Sequence, residues 1–97
     1  MKIGEEEQFY VKEYGEFVEY LQARFDSRAS FYKKAKILKY NNALYLQSYQ
    51  TIVAKIENGK AIVNGWYSAT TARHINEFLW QNGFETMAKK EMLENYL

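Results

Sequence analysis

The sequence predicts an α+β fold: an N-terminal helix, a four-stranded antiparallel meander, and one or two C-terminal helices packed on the sheet. Three observations predict it. Apolar residues near both ends recur at the three- and four-residue spacing of a helix face, and those between residues 33 and 66 alternate as in strands. Asn58-Gly59 marks a two-residue hairpin turn between runs that match across it.

The N-terminal helix is predicted from Glu5 to about Phe25, because Tyr10, Tyr14, Phe17, Val18, Leu21 and Phe25 form one stripe. Glu5, Glu6 and Glu7 complement its positive end, Arg24 and Arg28 suit its negative end, and Gly15 costs it about 1 kcal/mol relative to alanine. Residues 26–31 read as the exit loop.

The Asn58-Gly59 turn requires positive φ at both residues and sets a register in which Glu57 faces Lys60, Lys55 faces Ile62, Ile56 faces Ala61 and Ala54 faces Val63. A three-residue loop at Ser48-Tyr49-Gln50, with Gln50 left-handed, sets Leu46 opposite Ile52 and Leu44 opposite Ala54. A turn at Asn41-Asn42 brings Ile37 opposite Leu46. Four strands at about 33–39, 43–48, 51–57 and 60–66 then agree on one core face: Ile37, Leu44, Leu46, Ile52, Ala54, Ile56, Ala61 and Val63.

After the sheet, the hydroxyls of Ser68, Thr70 and Thr71 offer N-caps to a helix at about 70–82, whose stripe is Ala72, Ile75, Phe78 and Leu79 and whose stop is Gly83. Phe84, Ala88, Met92 and Tyr96 predict a third helix at about 85–96. The helices are expected on one face of the sheet, with Tyr14, Phe17, Phe25, Phe78 and Phe84 in the core.

Length and composition bound the chemistry. Ninety-seven residues fit a single domain, residues 1–97. With no cysteine and one histidine, the chain builds neither a disulfide framework nor a zinc finger nor a thiol nucleophile. No apolar run reaches the ~18 residues of a membrane span, and the acidic start lacks the regions of a signal peptide. The expectation is a cytoplasmic protein with no membrane partner, no metal and no cofactor.

The net charge of +1 conceals a pattern. Residues 1–30 carry seven acids and four bases, whereas residues 31–65 carry six lysines and only Glu57. Aromatic residues make up 18% of the chain, nine of them tyrosine, so some must lie outside a core of this size.

The register places Lys36, Leu38, Tyr40, Tyr45, Gln47, Val53, Lys55, Ile62, Asn64 and Trp66 on the second sheet face. That face is too apolar for idle surface, so a covering helix, a partner protein, a second copy of the chain or a nucleic acid is expected against it. Tyr40, Tyr45, Lys55, Trp66 and Trp80 are the expected partner contacts. A nucleic-acid module would use Lys34, Lys36, Lys39 and Lys55 with the interleaved tyrosines. Low net charge and only three arginines argue against it.

One polar constellation exists, Tyr67-Ser68-Ala69-Thr70-Thr71-Ala72-Arg73-His74-Ile75-Asn76. Thr70, Thr71, Arg73 and His74 are candidates for an anion contact at a helix N-terminus. Capping is the simpler use of these groups, with His74 bonded to backbone at the sheet edge. A hydrolytic reading, His74 with Ser68 or Thr71, lacks an orienting acid, since Glu77 is better placed to pair with Arg73. A ββα-metal nuclease would need metal ligands that are not present. No enzymatic activity is expected.

The segment from Asn58 to Phe78, NGKAIVNGWYSATTARHINEF, resembles small uncharacterised phage and prophage proteins of low-GC Gram-positive bacteria. In these an Asn-Gly hairpin leads to a strand and then to a Tyr-Ser-x-Thr-Thr-x-Arg/Lys-His-x-Asn-x-Phe helix. The resemblance extends loosely back to the Leu44–Tyr49 strand and turn, where Gln50 replaces a frequent glycine. It implies a mobile-element origin rather than a biochemical activity. Because small phage proteins without catalytic sites commonly act by covering a surface of host machinery, the expectation is a protein that binds and modulates or inhibits host machinery through the aromatic sheet face and the acidic helix, a defence nuclease (anti-CRISPR-like) among the candidates. The alternative is the nucleic-acid module.

Overall fold

The computed structural model describes residues 2–25, 31, 33–65 and 67–94. The order of elements is α1 (Glu5–Tyr14), β1 (Glu16–Tyr20), β2 (Ala35–Tyr40), β3 (Ala43–Ser48), β4 (Thr51–Glu57), β5 (Lys60–Val63), α2 (Ala69–Gln81) and α3 (Lys89–Glu94). The strands form one antiparallel sheet in sequence order, so the expected meander gains a fifth strand at its N-terminal edge.

That strand comes from the predicted N-terminal helix, which ends eleven residues early. Gly15 is the reason for the break. Its amide bonds Val11 O at 2.8 Å, its backbone is extended, and a β-carbon there would lie 2.4 Å from the Val11 carbonyl oxygen. The chain leaves the helix by a route open to glycine and pairs residues 16–20 with β2, with Val18 as a bulge. Tyr14, Phe17 and Phe25, expected in the core, are consequently exposed, whereas Leu21, Phe78 and Phe84 pack in or against it.

The hairpin registers around Asn58-Gly59 and Asn41-Asn42 are those expected, and all four turn residues have positive φ. The β3–β4 connection differs. Ser48 pairs with Thr51 across a two-residue turn, and the left-handed residue is Tyr49, φ 55°, not Gln50. A bulge then restores phase, because Gln47 pairs with Ile52 while Leu46 pairs with Ala54. Two adjacent apolar residues make this harmless: Ile52 enters the second face and Val53 the first, the reverse of the expected assignment.

Helices cover both faces. On the first, the α2 stripe Thr71, His74, Ile75, Phe78 and Leu79 packs over Ile37, Leu46, Val53, Ala54 and Val63. Each fully buried large apolar side chain here contributes about 1.5–3 kcal/mol. Ser68, rather than Thr70 or Thr71, caps α2 by accepting the Thr71 N–H. At its other end Phe84 N bonds Leu79 O and Gly83 N bonds Trp80 O, with Gly83 at φ 83°. The third helix begins at Lys89 rather than at about Glu85 and buries Met92, and the expected end near Tyr96 lies outside the described residues. Asn76 holds the segment before it, exchanging both amide bonds with the Met87 backbone at 3.0 and 2.7 Å.

On the second face lies α1, with Ile3 and Val11 packed on Leu38, Ala43, Tyr45 and Ile52. The second face is therefore covered by the N-terminal helix rather than left bare, and the helices are not all on one side.

Candidate functional site

Cross-strand pairing puts Phe17, Leu38, Tyr45, Lys55 and Ile62 in one row across all five strands, beneath and beside α1. Lys55 and Tyr45 both reach up to Glu7 on α1: Tyr45 donates its hydroxyl at 2.5 Å and Lys55 its ammonium at 2.7 Å, both to Oε2. Glu57 lies 3.5 Å from the same ammonium. Burial alone would raise the Glu7 carboxyl, but the Lys55 and Tyr45 bonds and the Lys55 charge outweigh it, so its pKa lies below the ordinary value. Burial pulls Lys55 down, and Glu7 and Glu57 more than restore it. The Tyr45 phenol is pushed up by burial and by its bond to Glu7. Near neutral pH the three are an ion pair plus a neutral phenol.

A second anchor holds the chain ahead of α1. The Asn64 amide accepts from Ile3 N at 2.6 Å and donates to Ile3 O at 3.0 Å, both within the buried interior. Together these contacts fix α1 by its polar side and by Val11. Its aromatic side faces outward.

Phe9, Tyr10 and Tyr14 on α1 and Phe17 and Val18 on β1 are 40–69% exposed. Phe9 meets Tyr10 edge-on at 5.6 Å, Tyr10 stacks on Tyr14 at 6.2 Å, and Phe17 meets Tyr20 at 5.0 Å. Between α1 and the β2–β3 turn is a cavity of about 310 Å³ whose walls are Glu6, Glu7 and Glu57 with Tyr10, Tyr40 and Tyr45.

The expected partner contacts are distributed as follows. Tyr40 and Tyr45 line this cavity, and Lys55 lies buried beside it in the ion pair. Trp80 is exposed on α2 and packs against Phe25 at 5.4 Å, far from the others in sequence and on the opposite sheet face. Trp66 lies outside the described residues. Of the nucleic-acid lysines, Lys55 is already neutralised, and strand alternation points Lys36 and Lys39 to opposite faces. Lys36 and Lys55 do share the second face with Tyr40 and Tyr45, but α1 lies over part of that face and Lys39 is on the other side.

The anion candidates do not converge either. Thr70 is exposed and Arg73 half-buried, while Thr71 and His74 are buried. His74 does not bond backbone: its Nδ1 lies 2.8 Å from Ser48 Oγ, which in turn lies 3.0 Å from Thr71 Oγ1. The rings of Phe31 and Tyr49 enclose it at 4.6 and 5.8 Å. Its Nε2 is buried with no hydrogen-bond partner among the described residues. Burial, reinforced by the charges of Lys34 and Arg73, pulls the imidazole down to about 4, so it is neutral at pH 7. The cluster ties β3 to α2. Glu77, expected to pair with Arg73, is fully buried and accepts the Phe25 N–H at 2.9 and 3.0 Å and the Gln81 amide at 2.6 Å.

Sequence reasoning offers the acidic helix as a contact surface but singles out none of Phe9, Tyr10, Tyr14, Phe17, Val18, Glu6, Glu7 or Glu57 as site residues. The signal for Glu7 was available, since an acid one helical turn before Val11 on a helix laid over Lys55 is a ready counter-ion. It required placing the helix first.

Among the described residues no three His, Asp or Glu side chains are grouped so that they could hold a metal ion, and no helix is long and apolar enough to cross a membrane. No curated protein and no solved structure matches the chain. Residues 20–95, from the end of β1 through α3, match the profile of a family of unknown function, DUF8033, and leave α1 outside the matched segment. The match spans well over half of the chain, and the protein belongs to that family.

Proposed function

We propose that this chain is a small non-enzymatic protein of phage type that binds a host protein and modulates it by covering part of its surface, with a defence nuclease as one target class. The contact surface in this reading is the outward side of α1 together with β1. The observation that carries it is the group of exposed rings Phe9, Tyr10 and Tyr14 in contact along α1, together with Phe17 and Val18 exposed on β1. Scattered surface apolar residues need no explanation, but exposed aromatic rings packed against one another on a helix are what binding surfaces use.

Charge gives the partner its chemistry. Glu5, Glu6, Glu13, Glu16 and Glu19 are exposed among these aromatics, against Lys12 alone on the same two elements. Such a surface complements a basic, partly apolar one and repels nucleic acid. A nuclease presents a basic groove of this kind to its substrate.

The test uses Phe9→Asp combined with Tyr14→Asp, two residues that are exposed and contribute little to the fold. Tagged wild type and variant are compared for proteins recovered from a lysate of infected host cells, with unfolding midpoints measured alongside. Selective loss of particular host proteins at unchanged stability supports the reading. Identical recovery by both sinks it.

A further inference from the structure

Glu6, Glu7 and Glu57 put three carboxylates on one cavity, and among the described residues Lys55 is the one cation paired with them. Two negative charges remain unbalanced. Lys60 stands opposite Glu57 in the ladder but is exposed and forms no ion pair with it among the described residues. Acids alone would not define a site. Here they share about 310 Å³ of space with three tyrosines, of which Tyr45 is almost fully buried, Tyr40 half-buried and Tyr10 exposed at the mouth.

The combination has a specific chemistry. Aromatic faces attract cations through their quadrupoles, and carboxylates bind them by charge-assisted hydrogen bonds. Lys55 already illustrates this, with its ammonium 5.8 Å from the Tyr45 ring centre and bonded to Glu7. Glu7 has committed one oxygen to two donors. Glu6 is exposed with no partner among the described residues, and Glu57 is held only by a 3.5 Å contact.

We propose that this cavity receives the guanidinium of an arginine side chain from the partner protein, seated between Tyr10 and Tyr40 and paired with Glu6 and Glu57. A planar guanidinium stacks on phenol rings and forks onto carboxylates, which an ammonium does less well. The assignment rests on the reading of α1 and β1 as the contact surface for a basic partner, and it names the group that anchors the contact.

The experiment is an NMR titration of the purified protein with N-acetyl-arginine amide, and in parallel with its neutral isostere N-acetyl-citrulline amide. The ring resonances of Tyr10, Tyr40 and Tyr45 are expected to shift saturably with the arginine probe, which binds about tenfold more tightly than citrulline because the charge is lost in the latter. Glu57→Gln and Tyr10→Ala, each at a residue that is not fully buried, are expected to weaken binding by roughly two- to fivefold, and added salt to weaken it further. Equal response to the two probes overturns the proposal, as does a shift spread over distant acids such as Glu85 and Glu91. If arginine binds here while the Phe9 and Tyr14 substitutions leave recovery from lysate unchanged, the partner reading falls and the cavity stands as a site for free organic cations. If recovery is lost but arginine does not bind, the reverse holds.

Discussion

Protonating His74 should destabilise the protein by an amount the structure sets. The imidazole is fully buried against Phe31 and Tyr49, and Nδ1 is engaged by Ser48. A buried acceptor left open costs less than a buried N–H left open, which favours the tautomer that donates from Nδ1 to Ser48. A second proton must then sit on Nε2, where no acceptor waits among the described residues, and Lys34 and Arg73 repel the resulting charge. The unfolded chain takes up this proton near 6.5, whereas the folded one holds out to about 4. Above 6.5 the full contribution is present. As pH falls from 6.5 to about 4 the unfolded state binds more protons than the folded state, and stability drops by roughly 1.4 kcal/mol per pH unit, for a total of roughly 3 kcal/mol.

His74→Asn isolates this effect, because the asparagine amide can reproduce the Ser48 bond but cannot titrate. It leaves a small void that costs about 1–2 kcal/mol at every pH. Urea unfolding of both proteins between about pH 7.5 and pH 4.5 gives the difference in stability, from which common contributions such as that of Glu7 cancel. The wild type should be the more stable protein at the upper end, and the gap should close or invert at the lower end. A gap that stays constant across the range would refute the enclosure argument, since it would mean that His74 titrates alike in folded and unfolded chains.

Two further perturbations test the N-terminal layer. Gly15→Ala should destabilise by about 1–3 kcal/mol, seen as a lowered urea midpoint, because its β-carbon meets the Val11 carbonyl at 2.4 Å and neither backbone can yield without moving α1 or β1. Asn64→Leu removes both bonds to Ile3 and should cost about 2 kcal/mol, with faster amide exchange concentrated in α1 while β2 to β4 remain protected. Uniform exchange across the sheet would show that Asn64 does not act through α1.

The readable parts of this fold are those decided by local chemistry. Asn58-Gly59 and Asn41-Asn42 specify their turns because few other residues adopt positive φ cheaply, and a two-residue turn leaves one register. Ser68 and Gly83 mark the ends of α2 for similar reasons. The failures are places where the sequence satisfies two structures. Tyr14 to Phe25 carries a helical stripe, yet Glu16-Phe17-Val18-Glu19-Tyr20 is equally a β-branched and aromatic strand, and pairing with β2 decides between them. Ile52 and Val53 are apolar side by side, so a bulge can exchange their faces without penalty, and nothing local records that it has. The same limit hid the candidate site. The hairpin register puts Tyr40 and Tyr45 on the face they occupy, but the carboxylates that complete their cavity come from α1 and from the far end of β4.

The way α1 is attached bears on its use. An amphipathic helix ordinarily docks through its aromatic side, and its binding and folding residues are then the same. Here α1 is held by Ile3, Val11, the Glu7 bonds and the Asn64 clasp, Tyr10 borders the cavity with Tyr40 and Tyr45, and Phe9 and Tyr14 point away. Their hydrophobic area contributes little to the folded state, so their replacement should leave stability within about 0.5 kcal/mol. A chain of this size has few large apolar side chains to spare from its core, and covering the second sheet face with them would have been the more stabilising arrangement. Polar anchors below and aromatics above make sense together if the outward side has a surface of its own to bury. In that arrangement affinity can be changed without unfolding the domain, and the fold can be perturbed at Asn64 or Gly15 without altering any side chain of the contact surface.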